Sequence, residues 1–153
     1  MSACAEQPPE LAKEFGSMRS DAELVSALEN QCKNAILSER PILLEFGADW
    51  CTDCRRVEAL KSDPELQKEL SHWVAIKVNV GRYDRHMDLV NHFEVKSIAR
   101  WIALSPDSEK ADICKVSPAN WRILADSVIE PVSGSASMKT ASDIVAWLQT
   151  ARE

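Results

Sequence analysis

Cys51 and Cys54, three positions apart, are the residues whose types and spacing could do chemistry. At a helix start that spacing puts both thiols on one face. Their Cβ atoms then come within reach of disulfide geometry. The first cysteine of such a pair meets unpaired backbone N–H groups and the positive end of the helix dipole, both of which favour a thiolate. A thiolate attacks a disulfide sulfur, and a second thiol held nearby resolves the mixed disulfide. These roles fall to Cys51 as nucleophile and Cys54 as resolving thiol. The same pair could be half of a zinc site, which ordinarily needs a second Cys/His pair at ligand spacing. His86 and His92, six apart in a polar stretch, have no cysteine pair beside them and read as surface histidines. No metal site is expected.

The elements that must position the pair follow from periodicity. Ile42-Leu43-Leu44-Glu45-Phe46 is an apolar run suited to a buried strand, and Gly47-Ala48-Asp49-Trp50 turns it into Cys51. Before it, Leu24, Val25, Leu28, Cys32, Ala35 and Ile36 hold helical spacing behind a Ser20 or Asp21 cap. After it, a helix from Cys51 breaks at Pro64 and restarts on Ser62 or Asp63. Strands are predicted at 73–80 and 98–104, with a short helix over 84–93 between them. A possible fourth strand covers 111–116, a short helix 117–124, and a final helix begins at Thr140 or Ser142. Strands alternating with helices predict an α/β fold, a mixed sheet of about four to five strands with helices on both faces.

The 153 residues fit one domain, read as residues 20–153 behind a flexible segment over 1–19 that carries Pro8-Pro9. A net charge of −6 argues against a nucleic-acid or anionic-membrane surface. No stretch reaches the roughly 18 apolar residues of a spanning helix. Five cysteines cannot all pair within the chain. Cys32 reads as a small buried hydrophobe, and Cys114 carries no assigned chemistry. Met1-Ser2-Ala3-Cys4 resembles the cut end of a bacterial lipoprotein signal, which would place the chain in the periplasm or on a lipid anchor. An ordinary cytoplasmic start is the equal alternative. No dinucleotide fingerprint appears among four glycines, so no cofactor is expected beyond the dithiol itself.

Phe46-Gly47-Ala48-Asp49-Trp50-Cys51-Thr52-Asp53-Cys54-Arg55 resembles the active-site segment of the thioredoxin superfamily, in particular bacterial members with a WCxDC motif. Val78-Asn79-Val80-Gly81-Arg82-Tyr83-Asp84 resembles a segment following the next core strand in that group. The resemblance implies a three-layer α/β/α sandwich. It implies that Glu45 is the buried carboxylate that helps move the resolving thiol's proton, that Lys77 neighbours it, and that Trp50 shields the motif. Their alternative reading is solvent-facing strand ends and an ordinary aromatic. A carboxylate beneath the pair could serve as general base, with burial raising its proton affinity.

Two departures stand out. Thr52-Asp53 replaces Gly-Pro, and the Asp53 charge beside the thiols predicts a less stabilised thiolate and a comparatively reducing couple. The superfamily's cis-proline falls at Ala99, within Ile98-Ala99-Arg100. A cis bond before a non-proline residue costs about 2.5–4 kcal/mol, so the expectation is a trans bond, a re-aimed substrate groove and Arg100 in the approach. The implied function is thiol–disulfide exchange with protein or small-molecule disulfides, fed by an upstream dithiol protein. The alternatives are a redox-sensitive binding module on the same scaffold and metal handling through the two thiolates.

Overall fold

Leu24, Leu28, Cys32 and Ala35 recur at helical spacing, and helix α1 (Asp21–Ser38) buries that stripe. The computed structural model describes residues 15, 16, 18–134 and 138–153. Ser20 starts α1 with a capping box: its side chain accepts from Glu23 N, and Glu23 accepts from Ser20 N. Beyond Pro41 runs β1 (Ile42–Gly47), every residue of which is buried. Its apolar run, interrupted by Glu45, has a topological cause. β1 lies inside the sheet, parallel to β2 (Val74–Asn79) and antiparallel to β3 (Arg100–Ser105). With β4 (Arg122–Val128) the sheet order is β2-β1-β3-β4.

Between β1 and β2 come α2 (Thr52–Leu60) and α3 (Pro64–Leu70), the second capped by Asp63 with Pro64 in its first turn. Helix α4 (Met87–His92) is shorter than the predicted 84–93, and α5 (Ala141–Ala151) starts on a Thr140–Asp143 capping box. Buried Glu69 on α3 accepts from Arg152 beyond α5 (2.6 and 3.0 Å) and from Trp73 Nε1 (3.1 Å), tying these elements together. Helices on both faces of the four-stranded sheet complete a three-layer α/β/α sandwich. No helix among the described residues is long and apolar enough to cross a membrane.

Two expectations about elements and one about a side chain need correction. The fourth strand is 122–128, not 111–116, which holds only a 3-10 turn at Ile113–Lys115. The helix predicted over 117–124 shrinks to a 3-10 turn at Pro118–Asn120. The cause is tertiary: buried Trp121 donates its Nε1 to Ile113 O (3.0 Å), and β4 takes its hydrogen bonds from β3 across a bulge at Ala103/Leu104. As a half-exposed outer strand, β4 lacks the alternation that marks a strand in sequence. His86 is buried rather than on the surface, with Nδ1 2.8 Å from Asp21 Oδ1, whereas His92 is exposed.

Much of the predicted flexible segment, and Cys4 with it, lies outside the described residues. Of the remainder, Phe15 is buried against the end of β1. Its Cζ would stand 2.5 Å from a Cβ at Gly47, so only glycine fits there. Phe15 O accepts from Asn79 Nδ2 (3.2 Å), and Arg19 O accepts from Arg85 Nη2 (2.6 Å).

Candidate functional site

β1 delivers the chain to its carboxyl end at Gly47, and a tight turn returns it as α2. Cys51 N donates to Ala48 O (3.2 Å), and Arg55 Nη1 donates to Asp49 O (2.7 Å), which fixes that turn. Asp49 Oδ1 also accepts from Phe15 N. Cys51 is the N-cap of α2: its backbone is extended, and its Sγ accepts from Cys54 N at 3.1 Å. Cys51 and Cys54 are joined as a disulfide with their Cα atoms 5.2 Å apart. Both are nearly covered, at 4% and 1% exposure. A sulfur that receives a backbone N–H at a helix N-terminus is placed to carry negative charge.

Trp50 flanks the pair and is 44% exposed. Its Nε1 donates to Gly81 O (2.6 Å), and its ring meets Tyr83 at 5.9 Å between centroids. The receiving turn needs glycine at position 81, where φ is +61° and a Cβ would crowd Asp84 and Arg85.

Glu45 lies on β1 opposite Lys77 on β2 and Trp101 on β3, and is 2% exposed. Its Oε1 accepts from Lys61 Nζ at 2.6 Å. Lys77 neighbours Glu45 in register, yet its own ammonium bonds Glu58 (2.8 Å). Lys61 contacts Glu58 as well (2.8 Å) and sits 5.6 Å from the Trp101 ring centre. The direct partner of Glu45 is therefore Lys61, at the end of α2. Burial pushes the Glu45 carboxyl above its usual range, with Lys61 pulling the other way. Burial also opposes charge on Lys61, and Glu45 with Glu58 outweigh it, holding the ammonium above its usual value.

Asp53 does not stand free beside the thiols. It is buried, and its Oδ1 accepts from Val132 N (2.7 Å) and Ser133 N (3.1 Å), while Oδ2 accepts from Ser133 Oγ (2.5 Å). Those three donors hold the Asp53 carboxyl in place.

Ile98, Ala99 and Arg100, expected to line a substrate groove, differ from expectation in two ways. The Ile98–Ala99 bond is cis, not trans. The cost of a cis bond before a non-proline residue is that of an isolated bond; here Ala99 is buried, its O accepts from Ile129 N (2.8 Å), and Arg100 begins a strand paired on both sides. Arg100 is no loose cation in the approach. Its guanidinium donates to Asp126 (2.5 and 2.8 Å), to Phe93 O (2.9 Å) and to Glu94 O (3.1 Å).

A second disulfide corrects the reading of Cys32 and Cys114. Cys32 is completely buried, as a small hydrophobe would be, but it is bonded to Cys114 with Cα atoms 5.4 Å apart. The bond joins the middle of α1 to the 3-10 turn at Ile113–Lys115, 82 residues later.

The thioredoxin family model matches residues 23–122, about two thirds of the chain. The chain belongs to the thioredoxin family. Its curated relatives include a thiol:disulfide interchange protein DsbD of Escherichia coli O6:H1, 38% identical over 58 residues. That match covers 37% of this chain and 10% of the relative. The protein of the same name from Colwellia psychrerythraea is 27% identical over 74 residues, covering 46% of this chain and 12% of that one. The chain thus spans about a tenth of the length of the curated relatives it matches. Among solved structures, a disulphide isomerase from Xylella fastidiosa Temecula1 superposes with a TM-score of 0.59 at 16% identity, covering 84% of this chain and 90% of that one. A thioredoxin from Thermus thermophilus gives 0.56 at 16% identity, covering 78% and 79%. At such identities these two matches speak for the fold alone.

Three residues of this thioredoxin-family site escaped sequence reasoning. Lys61 falls ten positions after Cys51 at a helix end, and Glu58 precedes it by three; an i, i+3 pair at a helix terminus was the available signal. Ser133 is eighty residues from Asp53, and no local pattern announces that contact.

Proposed function

We propose that this thioredoxin-family chain is a thiol–disulfide oxidoreductase in which Cys51 is the nucleophile and Cys54 the resolving thiol. The hydrogen bond from Cys54 N to Cys51 Sγ at the start of α2 carries the reading. In the reduced protein it stabilises a thiolate on Cys51. That thiolate attacks one sulfur of a substrate disulfide, forming a Cys51–substrate bond and releasing the other sulfur as a thiolate that takes a proton. Cys54, once deprotonated, attacks Cys51 Sγ. The second substrate sulfur leaves, two electrons have passed to the substrate, and the Cys51–Cys54 disulfide remains. An upstream dithiol protein returns the pair to its reduced form; the dithiol is the only redox group the cycle uses.

Glu45 is the group proposed to take the proton of Cys54. Its burial raises its proton affinity above that of an ordinary carboxylate, which suits a general base. Lys61 holds it in place, and Lys77 acts at one remove through Glu58. Trp50 covers one flank of the pair, while Ile98, Ala99 and the start of β3 at Arg100 form the backbone against which a substrate would lie. The name borne by the curated relatives supports the same chemistry. The Cys32–Cys114 bond supports an oxidising compartment, where such bonds persist.

Reduction of insulin and of glutathione disulfide by the wild type and by Cys51→Ser tests the assignment. The wild type should turn over at least one of them, and the variant should lose turnover entirely. Inactivity of both proteins with the fold intact would favour the binding-module reading instead.

A further inference from the structure

Asp53 stands between the two cysteines, yet its carboxylate is committed to a distant part of the chain. All three of its donors, Val132 N, Ser133 N and Ser133 Oγ, belong to the turn that follows β4. Asp53 is only 6% exposed, so pulling the turn away would leave its buried carboxyl oxygens without partners. The turn displays Val132, which is 53% exposed, while Trp50 beside Cys51 is 44% exposed. Cys51 and Cys54, on either side of Asp53 in the chain, are nearly covered. A partner that reaches Cys51 must therefore lie against fixed surroundings, and the turn is fixed through residue 53.

We propose that Asp53 is a positioning residue that holds the 130–134 turn beside the dithiol and thereby favours protein disulfides over small ones. The proposal rests on the oxidoreductase reading above and deepens it. A protein substrate is large enough to touch both the dithiol and the turn, and a turn ordered in advance spares the complex the entropy of ordering it. A small disulfide contacts the sulfur alone and gains little from the turn.

The test compares kcat/KM for insulin with kcat/KM for glutathione disulfide, using the full chain. In Asp53→Ala the insulin-to-glutathione ratio should fall about tenfold, through KM for insulin. Ser133→Ala removes one bond of three and should lower the ratio about threefold. Asp53→Asn should restore it, because an amide oxygen still accepts from both backbone N–H groups and the amide nitrogen can donate to Ser133 Oγ. An unchanged ratio in both Asp53→Ala and Ser133→Ala would overturn the proposal. So would an Asp53→Asn variant as impaired as Asp53→Ala, since charge rather than anchoring would then be at work. A wild type that reduces neither probe would instead sink the oxidoreductase reading itself.

Discussion

The two disulfides among the described residues are both largely covered, and burial alone does not tell them apart. Cys51 and Cys54 are as enclosed as the core, whereas Cys114, one end of the other bond, is half-buried. Their electrostatic surroundings and loop lengths do distinguish them. Among the described residues, the cysteine sulfur that accepts a backbone N–H is that of Cys51, at the positive end of α2. Cys32 sits mid-helix on the apolar stripe of α1, where burial would desolvate a thiolate released by exchange, away from the positive end of the helix. One bond spans three residues and the other 82. Reactivity thus follows from how well the departing thiolate is stabilised, and stability follows from how much chain the bond restrains.

Removing the long-range bond is the strongest way to break this comparison. The double variant Cys32→Ala/Cys114→Ala should lose about 2–4 kcal/mol of stability. For a chain of this size that is a Tm lower by roughly 10 °C. Insulin reduction at permissive temperature should persist. Chemical unfolding alongside the activity assay checks both halves: unchanged stability, or lost exchange in a folded variant, would collapse the distinction.

A smaller effect sharpens the other side of the comparison. Because burial raises the Glu45 carboxyl above its unfolded value, its favourable contribution is fully present below the ordinary carboxylate range and is lost as pH rises through the folded value. Glu45→Gln removes that titration. Its stability relative to the wild type should therefore improve from acid pH towards neutral, on top of a constant loss from the altered Lys61 contact. Denaturant melts across that range measure it. The opposite trend would mean that the ion pair with Lys61 outweighs burial.

The layers of the fold were legible wherever local pattern and tertiary role agree. Ile42 to Phe46 reads as a buried strand because it is one, and Ser20, Asp63 and Thr140 announce their helices through capping chemistry. The Cys51–Cys54 spacing was visible for the same reason, and Glu45 through the family resemblance of the segment that follows it. What sequence could not supply was long-range. The Cys32–Cys114 bond, the grip of Asp53 on Val132 and Ser133, and the pairing of β4 with β3 join residues whose local patterns are silent about each other. The Lys61–Glu45 pair lay nearer, but a helix terminus pointing back at a strand is set by packing rather than periodicity.

A redox titration read by thiol alkylation and mass spectrometry tests the central claim most directly. The folded chain is equilibrated at graded dithiol poise and each cysteine pair is scored separately. Cys51 and Cys54 should become alkylatable within the range of known exchange proteins, between about −120 and −270 mV, while Cys32 and Cys114 stay bonded until the poise falls below about −300 mV. Reduction of both pairs together, or of Cys32–Cys114 first, would contradict the division between an exchanging bond and a restraining one.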